Sequence, residues 1–170
     1  MYNIIKNRIL KGILTKPIEP GLAKTIDAAG AELKELIHNK FSRSLNIREV
    51  DTGSCGACEA EIIAANNPIY DISRFGVSFV ASPRHADALM VTGALSKNMA
   101  VALKSTYDAM PGPKFVITVG DCALDGGVFK GSYYIDRKVS DVVPVALHIP
   151  GCPPSPLLIV QALLEYLQAE

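Results

Sequence analysis

The sequence predicts a doubly wound α/β domain with a mainly parallel sheet and helices on both faces. Three observations carry this. Short apolar runs recur after residue 44, segments of helical periodicity separate them, and Gly or Pro bounds several of the runs. Continuously apolar strands require burial on both faces, and helices between them supply the crossovers that a parallel sheet needs.

The elements follow in order. Residues 1–44 read as a basic, helical N-terminal arm, and residues 45–170 as the α/β domain. In the arm Lys6, Arg8, Lys11, Lys16, Lys24, Lys34, Lys40 and Arg43 face only Glu19, Asp27, Glu32 and Glu35. Ile4, Ile5, Ile9, Ile13 and Leu14 suggest an amphipathic element, packed on neighbouring protein in preference to lying on a membrane surface. After Pro17 and Pro20, the spacing of Ile26, Ala29, Leu33, Leu36 and Ile37 predicts a helix from about Leu22 to Asn39. LNIREVD is a strand running into the glycine-rich GSCGAC, and EAEIIAANN a helix stopped before Pro68. GVSFVAS, ADALMVTG, KFVITVG and VVPVALHIPG are four further strands. KNMAVALKSTYDAM and SPLLIVQALLEYLQAE are helices between and after them.

Composition narrows the function. The chain has 170 residues, enough for one domain with a real core. Lys plus Arg and Asp plus Glu balance at 17 each, and no basic run with interleaved aromatics points to nucleic acid. An apolar fraction of 49% with 20% charged residues leaves apolar surface for partner subunits to cover. No run approaches eighteen apolar residues, so no membrane span is expected. The start, MYNIIKNRILKGIL, lacks the form of a secretory signal, so a cytoplasmic location is expected. Four cysteines in a reducing compartment point to metal binding or thiol chemistry before disulfides.

All four cysteines follow predicted strands, at the carboxyl ends where a doubly wound sheet builds its site. Cys55 and Cys58 are separated by two residues, 63 residues lie between Cys58 and Cys122, and 29 between Cys122 and Cys152, which Pro153 and Pro154 follow. Cys-x-x-Cys alone fits a dithiol oxidoreductase, a zinc site or an iron-sulfur site. The dithiol reading leaves Cys122 and Cys152 unexplained, and structural zinc usually draws two close pairs. A 4Fe-4S cluster accounts for more. Gly53, Gly56, Gly120, Gly126, Gly127 and Gly151 allow backbone N–H groups to approach a negatively charged cluster, and Pro153 stiffens the exit from a ligand.

DTGSCGACEAEI, SPRHAD with GALSKNM after it, GDC followed by GGVF, and VPVALHIPGCPPSP together resemble the small electron-transfer subunit of membrane-bound, energy-converting nickel-iron hydrogenases. The same architecture is similar to the complex I subunit that carries the terminal cluster, although that subunit has adjacent cysteines where this chain has Gly56 and Ala57 between Cys55 and Cys58. The likeness covers about Arg43 to the C-terminus. It implies a flavodoxin-like fold and one 4Fe-4S cluster on Cys55, Cys58, Cys122 and Cys152, with Gly56, Arg84, Gly120 and Gly151 close around the ligands. It also implies a nickel-iron centre in a separate hydrogenase large subunit, a ferredoxin-like iron-sulfur subunit upstream, and membrane subunits that hold the chain peripherally at the cytoplasmic face. Catalysis would belong to the complex, as reversible proton reduction to hydrogen. The alternative is the equivalent subunit of a nickel-free, quinone- or sulfur-linked relative; a stand-alone zinc or dithiol protein is a third reading.

Other residues divide between roles. Glu59 is a candidate proton relay or a charge complementing a helix N-terminus, and Glu61 a surface acid. Arg84 and His85 are candidates to hydrogen-bond a cluster sulfide or a partner carboxylate, against a plain Arg84–Asp87 pair. His38 and His148 read as structural. No phosphate-binding fingerprint accompanies Gly126 and Gly127, so no nucleotide is expected.

Overall fold

The computed structural model describes residues 22–135 and 137–169. The amphipathic element expected over Ile4–Leu14 lies outside them. A five-stranded parallel sheet runs in the order β2-β1-β3-β4-β5, formed by β1 (Leu45–Asp51), β2 (Val77–Phe79), β3 (Ala88–Thr92), β4 (Phe115–Val119) and β5 (Leu147–Ile149). Helices α1 (Leu22–Phe41), α2 (Ala57–Ala65), α3 (Lys97–Ala109), the short α4 (Asp121–Asp125) and α5 (Pro156–Ala169) surround it. This is the expected doubly wound class.

Alternation within the strands sorts side chains between two cores. Ile47, Ala88, Met90, Ile117, Val119 and Ile149 point into the core under α1, α2 and α5, where Leu33, Ile37, Ile62, Ile159 and Leu163 meet them. Val50, Leu89, Val91 and Val116 point the other way, against Ala100 and Leu103 of α3 and Val139 and Val143. All five residues of β3 are buried, which is why Ala88–Val91 reads as an unbroken apolar run ahead of Thr92. Helix α1 packs along α5 and buries Ile26, Leu33 and Ile37, the stripe that its spacing predicted. It runs to Phe41, beyond Asn39, and closes where Ser42 turns left-handed and its N–H donates to the His38 carbonyl at 2.9 Å.

Two departures have local causes. VVPVALHIPG yields only the three-residue β5, because Pro144 has no N–H for the ladder and the preceding Val139–Asp141 is a 3-10 turn. Asp87 pairs with Arg43, not Arg84. The Arg43 guanidinium donates to both carboxylate oxygens at 2.8 and 2.6 Å, and the Asn46 N–H adds a bond of 2.9 Å to Oδ2. This bond set ties the start of β1 to the entry of β3.

Candidate metal centre

Three loops leave the carboxyl ends of β1, β4 and β5, and each carries its cysteines within a few residues of the strand. In the first loop the Asp51 carboxylate accepts the N–H groups of Gly53 at 2.8 Å and Ser54 at 2.7 Å, and the Ser54 hydroxyl accepts that of Gly56 at 3.1 Å. Buried Thr52 anchors the loop from beneath through its hydroxyl, donated to the Thr92 carbonyl at 2.8 Å. Gly93 presses against the same loop with φ +76°, and a Cβ there would stand 2.4 Å from the Ser54 nitrogen. Cys55 is thereby presented to solvent just ahead of α2, and Cys58 sits in its first turn, partly buried.

The second loop joins β4 to α4. Gly120, at φ +85°, lies so near Cys58 that a Cβ would be 2.6 Å from its Sγ; only glycine suits both the backbone and the space. Cys122 follows in the first turn of α4, with Gly127 packed on it: a Cβ at Gly127 would lie 2.8 Å from the Cys122 Sγ. The Asp125 carboxylate accepts the Gly127 N–H at 3.0 Å, and the Val128 N–H donates to the Cys122 sulfur. In the third loop Gly151 exchanges two hydrogen bonds with Asp121. The Asp121 N–H donates to the Gly151 carbonyl at 2.9 Å, and the Gly151 N–H donates to Asp121 Oδ1 at 2.9 Å. Cys152 follows, exposed.

The four free thiols face one another electrostatically. Burial pushes the Cys58 thiol up to about 12, and the charges of Glu59, Cys122, Cys55 and Cys152 add to the rise. Burial also raises Cys122, opposed by the Val128 N–H and reinforced by Cys152 and Cys55. Four thiolates around one space repel each other, so the ionised set requires a positive centre. Among the described residues no group of three His, Cys, Asp or Glu side chains is placed to close on a single metal ion. The all-sulfur donor set, with glycine backbone close to the Cys58 and Cys122 sulfurs, suits an iron-sulfur cluster.

The other candidates fall at different distances from this frame. Gly56 begins α2, and Gly120 and Gly151 lie within the loops that join the cysteines. Glu59 occupies the first turn of α2, and both its carboxylate oxygens are shielded from solvent without a hydrogen-bond partner. Glu49 on β1 is its electrostatic neighbour: burial first, and the Glu59 charge second, hold the Glu49 carboxyl above the ordinary range. Arg84 and His85 lie in the 3-10 turn Pro83–His85, which packs against α3. His148 lies on β5 with Nδ1 3.0 Å from the Thr118 hydroxyl. Sequence reasoning missed Asp51, Asp121, Asp125 and Glu49. An Asp two residues before a Gly signals the Asx turns of Asp51 and Asp125. Asp121 has no such local signal, because its partner lies 30 residues away.

Comparison with known proteins gives the site its context. Residues 55–166 match the family model for the NADH ubiquinone oxidoreductase 20 kDa subunit. The chain is similar to formate hydrogenlyase subunit 7 of Escherichia coli, 40% identical over 132 residues, covering 78% of this chain and 52% of that protein. It thus spans about half the length of that relative. It is 42% identical over 128 residues to the probable membrane-bound hydrogenase subunit mbhJ of Pyrococcus furiosus, covering 75% of this chain and 77% of the relative. Among solved structures, a chain of an archaeal membrane-bound sulfane sulfur reductase superposes with a TM-score of 0.67 at 27% identity, covering 78% of this chain and 73% of that one. With its family model spanning the stretch that holds all four cysteines, the chain belongs to the NADH ubiquinone oxidoreductase 20 kDa subunit family.

Proposed function

We propose that the chain is the electron-transfer subunit of a membrane-associated, hydrogenase-type complex related to complex I, and that Cys55, Cys58, Cys122 and Cys152 ligate one 4Fe-4S cluster. The observation that carries the reading is that four free cysteines from three strand ends lie within electrostatic reach of one another, with Cys58 set against the bare backbone of Gly120. When bound, such a cluster supplies one-electron transfer at a potential set by its surroundings. The chain's own residues set those surroundings. The Val128 N–H stabilises negative charge on Cys122, partial burial of Cys58 and Cys122 restricts water, and Cys55 and Cys152 stay at the surface, towards whatever covers it.

That covering is read as a hydrogenase large subunit holding a nickel-iron centre. Val128, Phe129, Tyr133 and Tyr134, all downstream of Cys122, are exposed, Val128 at 80%, which supports an apolar contact beside the cysteines. Glu59, with its shielded and unpartnered carboxylate, is the residue of this chain to carry protons towards that centre. A ferredoxin-like subunit upstream and membrane subunits complete the complex. No described helix is long and apolar enough to cross a membrane, so attachment at the cytoplasmic face would run through partners. The likeness to the sulfane sulfur reductase favours a second reading, a nickel-free, quinone- or sulfur-linked relative with the same cluster subunit.

Anaerobic purification of the native complex with metal analysis and EPR of the reduced sample tests both. Four irons per chain with acid-labile sulfide, and a signal lost in Cys122→Ser, are expected; zinc without sulfide sinks the cluster. Co-purifying nickel selects the hydrogenase, and its absence the second reading.

A further inference from the structure

We infer that Asp121 is the positioning residue that fixes the two lone cysteines, Cys122 and Cys152, relative to each other; the inference rests on the cluster reading above. Each member of the Asp121–Gly151 pair immediately precedes a cysteine, and the two are joined by reciprocal hydrogen bonds of 2.9 Å. The pair continues the β4–β5 ladder. Val119 stands opposite Ile149, the Gly120 N–H donates to the Ile149 carbonyl at 2.8 Å, and Asp121 meets Gly151 two residues beyond the last strand pair.

The sequence shows why a side chain is needed at this rung. In Pro150-Gly151-Cys152-Pro153-Pro154 only Gly151 and Cys152 have an N–H to give, so the segment has few donors of its own for a ladder. Asp121 captures the Gly151 donor with its carboxylate while its own N–H takes the Gly151 carbonyl, closing a ring between two loops that are 30 residues apart. The side chain is exposed, and the core clusters do not include it, so its role lies at the junction and not in the packing beneath.

The test uses the full chain with Cys55→Ser and Cys58→Ser, nitroxide labels on Cys122 and Cys152, and EPR dipolar broadening between them. Asp121→Asn keeps an acceptor in place without the charge, whereas Asp121→Glu keeps the charge and moves the acceptor outward by a methylene. Broadening equal to that of Asp121 is expected for Asp121→Asn, and its loss for Asp121→Ala and Asp121→Glu. In the chain with all four cysteines, a chelator should extract iron about tenfold faster from the Ala and Glu variants than from the Asn variant. Unchanged broadening in Ala and Glu overturns the inference, and so does its loss in Asn. Circular dichroism confirms that each variant is folded, and Asp121→Glu carries the comparison if Asp121→Ala does not fold. The label readout needs no iron, so a chain that binds neither iron nor sulfide would count against the cluster reading alone.

Discussion

The loop that carries Cys55 and the loops that carry Cys122 and Cys152 both present thiols at strand ends, but they are held over very different chain distances. Around Cys55, Asp51 grips Gly53 and Ser54, and Ser54 grips Gly56, so the bonds that shape it close within three residues. Cys122 also has a local turn, closed by Asp125 on Gly127, but the placement of Cys122 relative to Cys152 rests on Asp121 and Gly151, which meet only once the sheet has formed. The first loop is a local motif docked on the sheet, and the second pair is a product of the sheet. Cys58 and Gly120 touch where the two regions meet.

That contrast can be broken most severely at the seam. Gly120→Ala should abolish iron retention in the anaerobically purified chain, because its Cβ would enter the space of the Cys58 sulfur at a left-handed φ. The expected result is loss of iron and sulfide with the fold retained by circular dichroism. Gly93→Ala attacks the local loop from below: a Cβ 2.4 Å from the Ser54 backbone forces a shift, and the chain should lose about 2–4 kcal/mol in a denaturant titration.

A finer test is a double-mutant cycle. Asp51→Ala removes two backbone hydrogen bonds and should cost about 1–2 kcal/mol. If the two regions are held independently, combining it with Asp121→Ala should be additive within about 0.5 kcal/mol. Greater coupling would show that the loops brace each other even without metal.

The smallest expected effect is electrostatic. Burial and Glu59 hold the Glu49 carboxyl above its usual range, so the folded chain binds that proton more tightly than the unfolded one. Stability is then lost as pH rises through the folded pKa, and Glu49→Gln should raise the melting temperature at pH 7, with the gain shrinking towards pH 4. A gain independent of pH would assign the effect to packing.

Local signals made much of this architecture legible. The stripe of Ile26, Leu33 and Ile37 marked α1, and the apolar run Ala88–Val91 marked the central strand, since burial on two faces favours apolar side chains at successive positions. VVPVALHIPG misled as to strand length, because hydropathy does not register the missing N–H of Pro144. Asp87 illustrates a different failure. Arg84 is nearer in sequence, but the start of β1 lies beside the entry of β3, so Arg43 supplies the guanidinium. The four cysteines and their glycines were visible as a set, whereas the shielded state of Glu59 was not.

The sequence by itself determined the strand and helix alternation, the thiol donor set and the Asx-bound loop ahead of Cys55, because each rests on periodicity, residue chemistry or bonds spanning a few residues. Tertiary structure alone decided that Gly120 would rest on Cys58, that Asp121 would join the Cys122 and Cys152 loops, and that Glu49 would face Glu59. The first two relations depend on strand order and register, which bring residues 30 or more positions apart into contact, and the third on the packing of α2 against the sheet; no local pattern encodes either.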